Sequence, residues 1–326
     1  MPVRAGRMGA VRSVCVVGLG LIGGSVLRAA AAAGRVTWGA TASTADAEAA
    51  GQDGHDVLDL AGALDRAREH DALVVVAVPL PAVEEVLRAL PEGVRLTDVV
   101  SVKGPVADLV RRVAPHARYV GGHPMAGTSA SGWSAGRADL FHDAAWVVTA
   151  EDDADPDVLT DVMELAFAAK AHVVPATALA HDAAVARISH LPHLLAAVLA
   201  SVGADGGPLA LSLAAGSFGD GTRVAGSRPE LVRAMCEGNR GALLDAVDDA
   251  LGRLGAARGS LASTGGLAKT IDAGHAARVK LQDQAVRTDL TIDLTAPDAL
   301  RDLRDLGARG GRVVALNGTI ALARTP

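Results

Sequence analysis

The stretch VCVVGLGLIGGSVLRAAAAAG, residues 14–34, constrains the fold more than any other part of the chain. An apolar run gives way to glycines, and an alanine-rich segment of helical character follows. Gly18, Gly20 and Gly23 have the G-x-G-x-x-G spacing, which is weak evidence in isolation. After a strand and at the start of a helix it acquires a mechanism. Gly18 makes the tight turn, Gly20 lets the backbone approach a pyrophosphate, and Gly23 allows close helix–strand packing. The helix N-terminus then faces the negative charge. A glycine turn without a ligand is the plainer alternative.

Short apolar runs recur at VTWGA, ALVVVAVP, LTDVVSV, YVGG, WVVTA and AHVVPAT, with helical stretches between most of them. Strands alternating with helices predict a doubly wound α/β domain, a parallel sheet with helices on both faces. After Pro175 the pattern becomes helical, as in ATALAHDAAVARISHLPHLLAAVLASVG. The spacing therefore predicts a dinucleotide-binding domain over 11–175 and a mostly helical substrate and dimerisation domain over 176–326. That second domain ends in a short tail reading strand, helix, strand, strand, too short for a regulatory domain. The apolar faces of its helices exceed what a lone monomer covers, which predicts a homodimer.

The chain has 326 residues and a net charge of −6, so it suits two domains and offers no basic face for nucleic acid. Two cysteines, Cys15 and Cys236, read as buried thiols rather than a disulfide. The opening MPVRAGRMGAVRS lacks the apolar core of a signal peptide, and no apolar run reaches the ~20 residues of a membrane span. A cytoplasmic protein with no membrane partner is the expectation.

Four further stretches carry chemistry. In DVVSVKG, residues 98–104, a strand ends in Ser101, where ligands of such sheets bind; a hydroxyl satisfying a turn is the equal alternative. In VGGHPMAGTSASGW, residues 120–133, His123 sits in a cramped glycine–proline turn. In RISHLPH, Ser189 and His193 share a helix face, His190 lies beside them, and Pro192 bends the helix. Two core histidines are the alternative there, and a zinc site is disfavoured because the carboxylate of an H-E-x-x-H helix is missing. GSFGDGTRVAGSRP offers Arg223, whose planar fork suits a substrate carboxylate, with a salt bridge or helix cap as the alternative.

Taken in order, VVGLGLIGGS, DVVSVKG, GGHPMAGTSASGW, HDAAVARISHLPHLLA and GSFGDGTRVAGS resemble the prephenate/arogenate dehydrogenase family of tyrosine biosynthesis, over roughly residues 13–240. The resemblance implies a small-molecule substrate in an active site between the two domains. It implies hydride transfer from the ring carbon bearing a hydroxyl to NAD or NADP, with loss of the ring carboxylate as CO₂. His123 matches the catalytic histidine, accepting the hydrogen bond of that hydroxyl, while Ser101 and His193 flank it. Arg223, Ser189, Thr128 and His190 fall to the substrate, and Gly18, Gly20, Leu21, Ile22, Gly23, Thr41, Val78, Pro79 and Ser101 to the cofactor. Gly121 and Gly122 are expected to let the backbone pass close to the cofactor. Val232 stands where the family often has tryptophan.

A β-hydroxyacid dehydrogenase is a rival, but the long helix after the nucleotide domain lacks the lysine such enzymes resemble one another in. A relative acting on 4-amino-4-deoxyprephenate and a cofactor-binding regulator without chemistry are further alternatives. The cofactor signal is mixed. The second strand, VTWGATAST, places Thr41 where an acid would bind the adenosine ribose, and no arginine follows to grip a 2′-phosphate. Both nucleotides are therefore expected to serve, NAD slightly ahead, within ~30-fold in kcat/KM or ~2 kcal/mol. Thr41→Asp should shift the preference strongly toward NAD⁺. Steady-state kinetics showing wild-type selectivity beyond about a thousandfold would overturn this reading.

Overall fold

The run at 14–17 is buried throughout because it forms the central strand β1 (Val14–Val17), with parallel neighbours on both sides, β2 (Thr37–Ala40) and β4 (Leu73–Val76). A strand covered on both faces reads as a continuous apolar run rather than an alternation. The computed structural model describes residues 12–128, 130–282 and 288–326; the domain start expected at residue 11 lies outside them. With β3 (Val57–Leu58), β5 (Arg95–Asp98) and β6 (Arg118–Tyr119), the first sheet has six parallel strands in the order β3-β2-β1-β4-β5-β6. Its connections are α1 (Leu21–Ala32), α2 (Thr44–Gln52), α3 (Leu60–Glu69), α4 (Leu80–Arg88) and α5 (Gly104–Val113). Val14, Val16, Leu73 and Val75 feed one buried cluster and Cys15, Val17, Val74 and Val76 another, so successive residues line opposite faces. Burial pushes the Cys15 thiol up to about 12, and Cys236 is only partly buried rather than fully so.

The run YVGG divides between two sheets: Tyr119 ends β6, and Gly122 begins β7 (Gly122–Pro124). β7 joins the runs WVVTA and AHVVPAT, which form β8 (Ala145–Thr149) and β9 (His172–Ala176), in a second, mixed sheet, with α6 (Pro156–Ala168) between β8 and β9. The tail completes it. β10 (Thr288–Asp293), β11 (Arg312–Asn317) and β12 (Ile320–Thr325) give the order β10-β12-β11-β9-β8-β7. The expectation that the tail belongs to the second domain is thereby corrected: Thr288–Thr325 belong to the first compact unit, which otherwise runs to His181. The physical reason is the edge of β9, whose unpaired backbone groups β11 covers at Val313↔Val173. The helix Ala299–Ala308 then crosses β9 so closely that a Cβ at Gly307 would lie 1.7 Å from the Pro175 carbonyl oxygen. Ion pairs join elements of the two sheets: Arg95 reaches Asp161 of α6 at 2.9 Å, and Arg118 binds Asp155 through two bonds of 2.6 and 2.7 Å.

The second unit begins at Asp182 and is helical. α7 (Ala178–Val185) leads through a π turn, Ala186–His190, into α8 (Leu191–Asp205). Helices Gly207–Ser212, Gly216–Thr222, Pro229–Gly238, Arg240–Ser263 and Ala268–Gln282 follow. By length and composition the continuous helical run 178–205 is long and apolar enough to cross a membrane, contrary to the sequence expectation. Its 28 residues exceed any uninterrupted apolar run because helical continuity carries it past His181, Asp182, Arg187, His190 and His193.

One buried ion pair fixes the region that matters most for function. Lys103 and Asp98 are 0% and 1% exposed and bonded to each other. Lys103 also donates to the Gly122 carbonyl at 2.7 Å, and the second Asp98 oxygen accepts from the Tyr119 hydroxyl at 2.7 Å. The end of β5, the start of α5, β6 and β7 are thus tied at one point. Removing one partner leaves the other charge buried and uncompensated, so Lys103→Met should cost ~3–5 kcal/mol of stability. Denaturant unfolding measures it, and an unchanged midpoint would show that the pair does not hold these elements together.

Candidate active site

Gly18 has φ +100, and a Cβ there would lie 2.5 Å from the Ala77 carbonyl oxygen, so no other residue fits. A Cβ at Gly23 would lie 1.8 Å from the Gly18 oxygen, which shows how tightly α1 packs on the turn. Gly20 differs: nothing lies within 4 Å of a Cβ placed there. The open space fronts the first turn of α1, where Leu21 and Ile22 begin a helix whose N-cap, Gly20, carries no side chain. Donors, dipole and room fit a pyrophosphate. Val78 abuts the Gly18 turn, and Pro79 caps α4.

Thr41 directly follows β2, and its hydroxyl accepts the Ser43 N–H at 3.3 Å. The nearest following acid, Asp46, is engaged elsewhere, accepting the Trp133 N–H at 2.7 Å. Trp133 is the centre of a cluster that sequence reasoning missed. The Arg28 guanidinium stacks 3.5 Å from its ring centroid, and Asp53 accepts from its indole N–H at 2.8 Å. Those bonds to Trp133 and Arg28 hold the Asp53 carboxyl below its usual range. A Cβ at Gly24 would lie 3.0 Å from the ring. The available signal was a tryptophan in a chain with 2% aromatics, together with a glycine beyond the three the fingerprint needs.

His123 lies on β7, at the edge of the second sheet, paired with Val147. The role expected of Gly121 and Gly122, room for a cofactor, is corrected by their neighbours. A Cβ at Gly121 would lie 2.7 Å from the Tyr119 hydroxyl, and one at Gly122 2.8 Å from the Asp98 carbonyl and 3.0 Å from the Trp146 nitrogen. The protein itself fills that space. The same contact brings the strand end leading to Ser101, which is half-buried, against the strand carrying His123.

His123 Nδ1 lies 2.8 Å from Nε2 of His181, with the rings at 76°. His181 sits on α7 and is 3% exposed. Sequence reading passed over it, since an isolated histidine in an alanine-rich helix carries no spacing signal. Thr128 is exposed, and its hydroxyl accepts from the Ala130 N–H.

In the second unit, His193 is partly exposed and its Nδ1 bonds the Ser189 carbonyl at 2.9 Å. His190 is fully buried, with Asn239 donating to its Nδ1 at 3.1 Å and to the Asp182 carbonyl at 2.7 Å. That environment is the core alternative for His190, and it corrects a direct substrate contact to a structural role. Arg223 is exposed and opens a 3₁₀ turn. Within the helical unit, among the described residues, it forms no ion pair with Asp220 or another acid. Among the described residues, no three His, Cys, Asp or Glu side chains gather to hold a metal.

Residues 25–175 match the family model described as prephenate dehydrogenase, nucleotide-binding domain, and residues 177–264 match prephenate dehydrogenase, dimerization domain. The chain is 34% identical over 251 residues to the prephenate dehydrogenase of Bacillus subtilis (strain 168), covering 73% of this chain and 67% of that one. A Corynebacterium glutamicum crystal structure, provisionally assigned as a prephenate dehydrogenase, is 44% identical with a TM-score of 0.86, covering 92% of this chain and 98% of that one. Synechocystis arogenate dehydrogenase is 29% identical with a TM-score of 0.69, covering 82% and 99%.

Proposed function

We propose that this chain, which belongs to the prephenate dehydrogenase family, catalyses the NAD(P)-dependent oxidative decarboxylation of prephenate to 4-hydroxyphenylpyruvate, or of arogenate to tyrosine. The observation that carries the mechanism is the placement of His123: on a strand edge of the nucleotide-binding unit, beside the end of β5, with Nδ1 engaged by His181.

The bound nicotinamide supplies the acceptor for the hydride that leaves the ring carbon bearing the hydroxyl. The electron pair of the breaking bond to the carboxylate enters the ring as CO₂ departs, so ring atoms and electrons balance in an aromatic phenol. His123 Nε2 accepts the hydrogen bond of the ring hydroxyl and relieves the positive character growing on that oxygen. Ser101 and His193 orient the hydroxyl, and each alone matters less than His123. Arg223 takes a substrate carboxylate, with Ser189 and Thr128 as further substrate contacts. His190 supports them by bonding Asn239 beneath the helix that carries Ser189 and His193.

Both nicotinamide dinucleotides serve, NAD⁺ slightly ahead, since the end of β2 presents the hydroxyls of Thr41, Ser43 and Thr44 and no carboxylate. A homodimer is supported by the match to a dimerization domain and by exposed Val198, Val202, Leu213, Leu251 and Leu254. The reading carries a cytoplasmic biosynthetic enzyme. The relatives' names favour neither the 4-amino substrate nor a role without chemistry. Purified protein offered prephenate, arogenate or the 4-amino analogue, each with NAD⁺ and NADP⁺, tests this by absorbance of the reduced cofactor. Binding of NAD(P)H with no turnover of any of them would sink it.

His123→Asn should lower kcat by ~10²–10⁴-fold, the usual range for general acid–base groups, with cofactor affinity nearly intact. A variant with wild-type kcat would remove His123 from the chemistry.

Arg223→Ala should raise KM by ~10–150-fold, the equivalent of ~1.5–3 kcal/mol for a charged hydrogen-bond partner. Arg223→Lys should rescue little, because a point charge cannot reproduce the fork. Unchanged KM for the alanine variant would place the carboxylate elsewhere.

A further inference from the structure

The reaction needs a particular form of His123. To accept a hydrogen bond at Nε2, the ring must be neutral and carry its proton on Nδ1. The tautomer of an imidazole is set by what its other nitrogen bonds. Here that partner is His181, whose Nε2 lies 2.8 Å from His123 Nδ1 within the same compact unit.

The two rings can share this hydrogen bond in only two ways when both are neutral. Either His123 donates from Nδ1–H to the lone pair on His181 Nε2, or His181 donates from Nε2–H to the lone pair on His123 Nδ1. The second arrangement puts a proton on His123 Nε2 and turns the base into a donor. Only the first permits the chemistry.

We propose that His181 is a positioning residue that accepts from His123 Nδ1–H and so holds His123 in the tautomer whose Nε2 receives the substrate hydroxyl. The proposal rests on the reading of His123 as the acceptor. Its placement suits the task. His181 is almost fully buried at 3% exposure, and its backbone N–H bonds the Thr177 carbonyl at the start of α7, so the backbone that carries the ring is fixed by the helix. The ring planes are twisted by 76° with their centroids 5.1 Å apart and the two nitrogens between them, which lets an in-plane N–H of one point to an in-plane lone pair of the other without stacking.

The choice of a neutral partner has a chemical consequence. A carboxylate at this position would also accept from Nδ1–H, but its charge would favour the imidazolium and leave the base already protonated. A second imidazole orients His123 without adding a negative charge. As His123 takes on positive character during the reaction, the same bond becomes charge-assisted and strengthens. The pair therefore contributes more in the transition state than in the ground state, so its removal should appear in kcat rather than KM.

The test combines kinetics with ¹⁵N NMR of histidine-labelled protein. In the wild type, His123 should be the Nδ1–H tautomer; finding it as Nε2–H overturns the proposal without any substitution. His181→Leu, which cannot accept, should lower kcat by ~10–100-fold, the usual cost of losing an orienting partner, and leave KM within about threefold. In that variant the His123 signal should become a mixture of tautomers. His181→Gln, whose side-chain oxygen can accept from Nδ1–H, should restore the Nδ1–H signal and most of kcat. A His181→Leu variant with wild-type kcat and an unshifted tautomer overturns the proposal, as does a glutamine variant that restores neither. His123→Asn run in parallel separates the two readings: full kcat there removes the acceptor itself, whereas impaired His123→Asn beside normal His181→Leu removes only the positioning role.

Discussion

The structure around His123 depends on one buried pair, Asp98 with Lys103. A buried ion pair is a poor source of net stability, because desolvating both charges offsets much of their attraction. Its contribution is direction. Lys103 carries three N–H donors and no acceptor, and two of its partners are the Asp98 carboxylate and the Gly122 carbonyl. Asp98 in turn accepts from Tyr119 and from the Val100 N–H. Backbone ladders set the register of β6 on β5 and of β7 on β8. The pair adds a bond from the start of α5 to the Gly122 carbonyl, one residue before His123.

This dependence explains which parts of the site the sequence made legible. Gly18 and Gly23 serve the turn between β1 and α1, so their spacing after an apolar run and before a helix points to that turn, although the Ala77 carbonyl that crowds Gly18 lies far off in sequence. Gly121 and Gly122 look similar in sequence but answer to Tyr119, Thr149, Asp98 and Trp146. Only the fold brings those side chains close. The second sheet was hidden for a related reason. β8 and β9 are apolar runs of the same kind as β1 and β4, and period alone cannot say which sheet a buried strand joins. The tail was read correctly as strand, helix, strand, strand, yet its partner, β9, lies more than a hundred residues earlier. His181 was missed because its meaning comes from a neighbour distant in sequence, His123.

The nucleotide side shows the same division between local and distant causes. Asp46 lies close enough in sequence to the end of β2 to be mistaken for a ribose ligand. It is instead bound to the Trp133 backbone, and its own N–H caps on Ser43. Trp133 is held in turn by Arg28 from α1 and by Asp53 just past α2, with His55 edge-on to its ring. The segment that starts at His123 is therefore fastened, ten residues later, to the helices that follow the first two strands. The Trp133 N–H engages one oxygen of Asp46, and the residues offered at the end of β2 itself are the hydroxyls of Thr41, Ser43 and Thr44.

The helical unit shows why a sequence can give the right residues and the wrong assignment. His190 and His193 are three apart and would ordinarily share a helix face. Pro192 lacks the N–H that would bond one turn back, and the helix absorbs this by widening to a π turn over Ala186–His190. His190 closes that turn and is fully buried, bonded to Asn239. His193 lies in the first turn of α8, partly exposed, with its Nδ1 on the Ser189 carbonyl. That carbonyl sits one turn back on the same helical run. The histidine ring supplies the donor, and the bond fixes its own tautomer as Nδ1–H, leaving Nε2 as the acceptor. Two histidines three residues apart thus meet different partners: the π turn ends on a ring bonded inside the helical unit, and the next turn presents a ring held by its own backbone.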